Sequence, residues 1–147
     1  MKFGWINLFG AAVVLVMLIP NLFYARKHGN EENRCKNQVM NLVEQIGRYS
    51  CFILMWLPLL VWKFGFHSVA EMCIYLIGSL ILLLVYLIIW ALYLKRQTAQ
   101  KAMALAVIPV CIFLMSGILL RHYLLVAAAL VFGAGHIYVT RENQKQC

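Results

Sequence analysis

The chain has 147 residues, of which 64% are hydrophobic and only 12% are charged, whereas soluble domains are about half apolar and about a quarter charged. This composition excludes a sizeable water-soluble domain, because the longest plainly polar stretch is Arg26 to Gln38. The net charge of +8 does not indicate a nucleic-acid partner, since the positive residues lie between apolar runs, as topology signals do. We therefore predict one all-α domain, residues 1–147, that is embedded in the lipid bilayer.

Five apolar runs predict a bundle of five transmembrane helices in a polytopic integral membrane protein. The predicted spans cover about residues 3–24, 37–66, 69–94, 102–120 and 123–140. The second span is the longest, and Pro58 predicts a kink in it. At 1.5 Å per residue it would be about 45 Å long, more than the ~30 Å hydrocarbon core requires. The last two spans are joined only by Arg121 and His122, which predicts a tight antiparallel hairpin.

The distribution of Lys and Arg predicts the orientation of these spans. One side carries Lys2, Lys63 and Arg121, and the other carries Arg26, Lys27, Arg34, Lys36, Lys95, Arg96, Lys101, Arg141 and Lys145. The positive-inside rule places the more basic side in the cytoplasm, with the N-terminus outside and the C-terminus inside. The predicted location is the bacterial cytoplasmic membrane.

The second span begins with an unusual set of polar residues. Asn37, Asn41, Glu44 and Arg48 are spaced by four, three and four, so they share one helix face that leads into the apolar run starting at Tyr49. A carboxylate and a guanidinium at the mouth of a span require water, each other or a ligand, because charge is costly in hydrocarbon.

Other polar residues are predicted at the same depth in the cytoplasmic leaflet. Asn21 ends the first span, Tyr93 ends the third, and His136 lies one turn before the end of the fifth. His136 shares its face with the small residues Ala129 and Gly133, which predicts that it faces protein and not lipid. Tyr86 lies near mid-membrane, where its hydroxyl needs a partner.

Two interpretations of this polar set stay open. In the first, the candidate ligand-binding residues Asn21, Asn41, Glu44, Arg48 and His136, with Tyr86 and Tyr93 as secondary candidates, form a cytoplasm-facing pocket for a small anionic or amphipathic molecule or a lipid headgroup. Glu44 would orient Arg48 or accept a ligand amine, and His136 would titrate near neutral pH. In the second, Glu44 and Arg48 are an interfacial ion pair, and Arg48 extends towards the lipid headgroups.

Three functions are compatible with the predicted pocket. The leading hypothesis is a membrane protein that binds or transports such a molecule, and transport by five spans would require a homo-oligomer. The first alternative is an enzyme acting on a lipid or lipophilic thiol, and the second is an assembly subunit of a membrane complex. No catalytic signature is present, so whether the protein is an enzyme stays undecided. The five cysteines show no metal-ligand spacing, and we predict neither a metal site nor a cofactor.

A second polar set is predicted at the opposite end of the bundle. It consists of Lys63, His67, Glu71, Arg121 and His122, all at loops. Residues of this kind at the ends of spans are usually hydrated, so the sequence predicts solvated caps. A metal bound by His67 and His122 is the weaker alternative.

Two segments carry a resemblance to a known group of proteins. The segments Ile19–Ala25 (IPNLFYA) and Asn41–Tyr49 (NLVEQIGRY) resemble small uncharacterised multi-spanning membrane proteins of Gram-positive bacteria. The similarity covers about a third of the chain and implies a membrane location without implying an activity.

Overall fold

Five α-helices follow one another in the part of the chain that the computed structural model describes, which is residues 6–28, 36–59, 61 and 65–145. The helices are α1 (Leu8–Lys27), α2 (Gln38–Trp56), α3 (Val69–Lys95), α4 (Ala99–Leu119) and α5 (Tyr123–Lys145). The prediction of an all-helical chain is thereby confirmed for these ranges. Lys2, Arg34, Lys63, Cys35 and Cys147, and positions 3–5, 60 and 62–64 of the predicted spans, lie outside the described residues.

Short polar side chains begin three of the helices. Asn7 Oδ1 accepts from Gly10 N at 3.1 Å at the start of α1, and Asn37 Oδ1 accepts from Met40 N at 3.2 Å at the start of α2. Ser68 Oγ accepts from Glu71 N at 3.1 Å at the start of α3. Each cap satisfies an amide that has no partner within its own helix. One of the predicted polar-face residues, Asn37, is therefore a cap.

The second helix is shorter than the sequence predicts. It ends at Trp56, and Leu57 adopts an extended backbone conformation with φ −109° and ψ 117° immediately before Pro58. A residue that precedes proline is disfavoured in the helical region, because the proline ring collides with its backbone. Pro58 therefore follows the end of the helix and does not kink it, and the 19 residues of α2 extend over about 28 Å.

Four of the five helices have the length and composition to cross a membrane. Among the described residues these are α1, α3, α4 and α5. The second helix does not belong to this set, since Asn41, Glu44, Gln45 and Arg48 lower its hydropathy. These four helices indicate a membrane protein. The number of five spans and their orientation stay predictions.

The helices pack so that α5 lies against both α2 and α4, and α3 lies against α4. The first helix contacts α2 and α3. The common core is apolar and includes Cys51, Phe113, Ala129 and Phe132, all of which are buried. The outward face of α3 is also apolar, with Ile74, Ile77, Ile81, Leu84 and Ile88 exposed. Such a face is suited to contact with lipid chains.

Two glycines allow α2 and α5 to approach closely. A Cβ atom on Gly47 of α2 would lie 2.6 Å from the backbone N of Phe132, and one on Gly135 of α5 would lie 2.7 Å from the backbone N of Glu44. Each helix therefore presents a glycine where the other presents its backbone. This contact is of the small-residue type that brings membrane helices together.

The predicted hairpin between α4 and α5 is present, with a tight turn. Arg121 has φ 52°, in the left-handed region that non-glycine residues rarely adopt, and His122 N donates to Gly117 O at 2.8 Å. The prediction that His122 is a solvated cap is wrong, because its side chain is buried and its Nε2 lies 3.1 Å from Leu59 O. Burial lowers the pKa of His122.

Candidate functional site

The centre of the candidate site is the carboxylate of Glu44. This residue is only 5% exposed, and its Oε1 atom forms an ion pair with Arg48 Nη2, one turn further along α2. The same oxygen lies 2.9 Å from Nδ1 of His136 on α5. One carboxylate oxygen thus joins a guanidinium and an imidazole from two helices. We call Glu44, Arg48 and His136 the Glu44 cluster.

The imidazole ring of His136 is also held by packing against neighbouring residues. The ring of Phe132 is stacked on that of His136, with centroids 4.8 Å apart and an interplanar angle of 18°. Gly135 lies directly against the Glu44 backbone, and Gly133 lies against Val110 of α4. His136 therefore faces protein, and its ring is held between an aromatic face and a carboxylate.

A second polar contact joins α1 to α3. Asn21 Nδ2 donates to the hydroxyl oxygen of Tyr86 at 2.8 Å and to the carbonyl oxygen of Met17 at 2.8 Å. Both protons of the amide nitrogen are used in these two bonds. Because Tyr86 accepts from Asn21, its own hydroxyl proton is left for donation to another group.

Arg48 interacts electrostatically with both polar contacts, the Glu44–His136 contact and the Asn21–Tyr86 contact. Its charge interacts electrostatically with the Tyr86 hydroxyl and with the imidazole of His136. The structure therefore brings together five of the seven predicted residues, namely Asn21, Glu44, Arg48, Tyr86 and His136. They come from four helices, although only Glu44, Arg48 and His136 are in direct mutual contact around one atom.

The described contacts of the two remaining predicted residues, Tyr93 and Asn41, are as follows. Tyr93 belongs to an aromatic cluster, with its ring centroid 5.8 Å from that of Trp90 and 6.0 Å from that of Tyr24. Asn41 is half-buried in the first turn of α2, where its backbone N donates to Asn37 O at 3.1 Å.

The polar set at the opposite end forms a separate exposed cluster. Arg121 contacts the ring of His67 and lies 3.4 Å from Glu71 Oε1, while Glu71 Oε2 accepts from His67 N at 2.8 Å. These contacts link the start of α3 to the turn between α4 and α5. Within the described ranges, no group of three or more His, Cys, Asp or Glu side chains is arranged to hold a metal ion.

Sequence reasoning missed three residues that shape the site, which are Gly47, Phe132 and Gly135. The signal was present in part, since Gly135 directly precedes His136 and Gly47 directly precedes Arg48. A glycine beside each polar residue on two different helices is typical of a close helix contact at that level. No local pattern indicates that Gly47 meets the backbone of Phe132 or that Gly135 meets that of Glu44.

The fold and the Glu44 cluster define a class, a helical protein of membrane composition with a charged cluster between two tightly packed helices. Comparisons of the chain with protein-family models, with characterised proteins and with solved structures give no match. The resemblance to small membrane proteins of Gram-positive bacteria therefore stays a prediction.

Proposed function

We propose that this protein is an integral protein of the bacterial cytoplasmic membrane that binds a small anionic or amphipathic molecule, such as a lipid headgroup, at Arg48. The observation that carries the proposal is the contrast within one ion pair. The side chain of Glu44 is 7% exposed, whereas that of Arg48 is 38% exposed. A buried carboxylate thus orients a guanidinium that an incoming anion can reach.

Arg48 has the donors to hold an anion without leaving Glu44. A guanidinium carries five N–H groups in a fixed planar fork, and the ion pair with Glu44 engages the Nη2 nitrogen. The Tyr86 hydroxyl, which accepts from Asn21 and interacts electrostatically with Arg48, keeps its own proton for donation. A phosphate or carboxylate group would complement these donors, and we propose a phosphodiester as the simplest lipid-derived form.

The proposal includes five membrane spans with the Glu44 cluster in the cytoplasmic leaflet. In this arrangement α2 crosses the membrane beside α5, which shields its polar face. A reporter fused to the C-terminus is expected to be active only in the cytoplasm, because the nine basic residues counted above hold that side inside. An extracytoplasmic signal from that reporter would place the Glu44 cluster in the other leaflet and contradict the orientation.

Binding at Arg48 is tested with a short-chain anionic lipid. Dihexanoyl phosphatidylglycerol is expected to raise the melting temperature of the purified protein, and zwitterionic dihexanoyl phosphatidylcholine is expected to raise it much less. In Arg48→Gln the lipid-dependent shift should be lost, because the amide keeps a hydrogen bond to Glu44 but carries no charge. Each shift in melting temperature is measured against the same variant without lipid, so that a change in the basal stability of a variant does not affect the comparison.

Arg141→Gln provides the matched control for this test. Arg141 is exposed near the end of α5, and the substitution removes the same charge from the same predicted side of the membrane. We expect the control to keep the lipid-dependent shift. An equal loss of the shift in both variants would indicate a general surface attraction and contradict a site at Arg48.

A further inference from the structure

The Glu44 cluster has a charge balance that an anionic ligand must disturb. Ionised Glu44 contributes one negative charge, Arg48 contributes one positive charge, and His136 contributes none as long as its imidazole is unprotonated. The cluster is therefore electroneutral with an uncharged imidazole. Neutrality matters at this place, because Glu44 is buried between two helices and an unbalanced charge is costly in a medium of low dielectric constant.

Two ionisable side chains of α2, Glu44 and Arg48, interact with the imidazole ring of His136. The helices that lie against α5 are α2 and α4, and α2 presents Glu44 and Arg48 to the ring. The α4 residues near this level are buried and apolar, namely Ala102, Leu105 and Ala106. The titratable residues of α4 are Lys101, whose Nζ donates to the carbonyls of Leu92 and Arg96, and Cys111, which is exposed. On α5 itself, the next ionisable residues are Tyr138, Arg141 and Glu142.

An anion at Arg48 would leave the site with one uncompensated negative charge. The imidazole is the one group in the Glu44 cluster that can gain a proton and become positive near neutral pH. Its Nδ1 atom is already within hydrogen-bond distance of Glu44 Oε1, so that the resulting imidazolium would be paired at once. We propose that binding of a phosphodiester anion at Arg48 is coupled to the uptake of one proton by His136.

The proton comes from bulk solvent and binds a ring nitrogen, and no covalent bond between heavy atoms forms or breaks. The loaded site then holds two anions, Glu44 and the ligand, against two cations, Arg48 and imidazolium. By linkage, a ligand that binds together with one proton binds more tightly as the pH falls, by at most about tenfold per pH unit. This inference rests on the proposed function, since it requires an anion at Arg48.

The experiment uses the full-length protein in discs of zwitterionic lipid. Two probes separate the sources of the ligand: dihexanoyl phosphatidylglycerol for a lipid headgroup and dimethyl phosphate for a free phosphodiester. Both stay monoanionic from about pH 5.5 to 8.5, so neither contributes protons of its own. Titration calorimetry in two buffers of different ionisation enthalpy is expected to report the uptake of about one proton per bound probe. Binding of one probe and not the other identifies the source.

His136→Gln tests the assignment of the proton. The glutamine amide can still donate to Glu44 but does not titrate, so we expect binding to persist with no pH dependence and no proton uptake. His67→Gln is the control, because His67 is exposed in the cluster with Glu71 and Arg121 and should leave the coupling unchanged. If His136→Gln does not fold, the buffer comparison on the unmodified protein still tests whether one proton is taken up on binding.

The two proposals fail in different ways. Failure of both probes to bind at any pH would contradict the proposed function, and the proton coupling with it. Binding with the same affinity at pH 6 and pH 8, and with equal heats in the two buffers, would overturn the proton coupling alone. Proton uptake that survives in His136→Gln would overturn the assignment to His136.

Discussion

Gly135→Ala is expected to destabilise the protein by about 2 kcal/mol and to separate Glu44 from His136. The added methyl group would lie 2.7 Å from the backbone N and 2.8 Å from the Cα of Glu44. Backbone atoms cannot move aside as a flexible side chain can, so α2 and α5 must move apart. Overpacking of this kind typically costs about 1–3 kcal/mol, and we place this site at the upper end. Alanine returns about 1 kcal/mol through its greater helix propensity.

Gly78→Ala is the matched control for this substitution. A Cβ atom on Gly78 would meet only the Sδ and Cε atoms of Met115, at 2.8 and 3.3 Å, and these are the far end of a flexible side chain. The control gains the same helix propensity without forcing two helices apart, so we expect it to be as stable as the unmodified protein or slightly more stable. The free energy of unfolding of both variants would be measured by titration with a denaturing detergent.

Equal stability of Gly135→Ala and Gly78→Ala would contradict the close contact between α2 and α5. A second readout follows from the position of Gly135 beside His136. If the helices separate, the phosphodiester-dependent thermal shift should weaken in Gly135→Ala and persist in Gly78→Ala. The glycine thus connects stability to the candidate site, because the same backbone contact brings Glu44 within reach of the imidazole.

The elements that sequence reasoning found were those with a local signal. Long apolar runs predicted α3 almost to the residue, at Val69 to about Leu94 against the observed Lys95. The spacing of Glu44 and Arg48 predicted a shared helix face, and the two side chains form an ion pair. Periodicity and spacing are properties of neighbouring residues, so the sequence carries them directly.

The features that sequence reasoning missed depend on residues far apart in the chain. The sequence grouped Glu44 with His136 by depth, but the two are 92 positions apart, and no local pattern indicates that one carboxylate oxygen meets both Arg48 and His136. His122 was predicted to be solvated because loop residues usually are, but the turn between α4 and α5 folds it inward against Leu59. The apolar residues that follow Pro58 led to a predicted second span that continued to residue 66. In the structure α2 ends at Trp56, because the residue before a proline disfavours the helical conformation.

The second large effect on stability is expected from the ion pair between Glu44 and Arg48. Arg48→Leu is expected to destabilise the protein by about 2 kcal/mol, because the buried carboxylate of Glu44 loses its permanently charged partner. Removing one partner of a fully buried pair costs about 3–5 kcal/mol. The smaller figure applies here, since the Arg48 side chain is 38% exposed and water already supplies part of its solvation.

The double variant Glu44→Leu with Arg48→Leu is expected to recover most of this loss. With both charges absent there is no carboxylate to desolvate, and two apolar side chains fit a helix that lies among other apolar helices. We expect its free energy of unfolding to lie within about 1 kcal/mol of that of the unmodified protein. Lys145→Leu is the control, because it breaks the exposed pair with Glu142, where the N–O distance is 2.6 Å, and should change stability by less than about 0.5 kcal/mol.

This comparison separates a pair kept for stability from a pair kept for binding. A double variant that is stable but no longer shifted by phosphatidylglycerol would show that the bundle folds without the charges and needs them only for the ligand. If Arg48→Leu costs no more than Lys145→Leu, the carboxylate is hydrated, and the charge balance that underlies the proton coupling does not hold. If the double variant is as unstable as Arg48→Leu, the pair holds α2 in place, and the polar face of this helix is part of the fold itself.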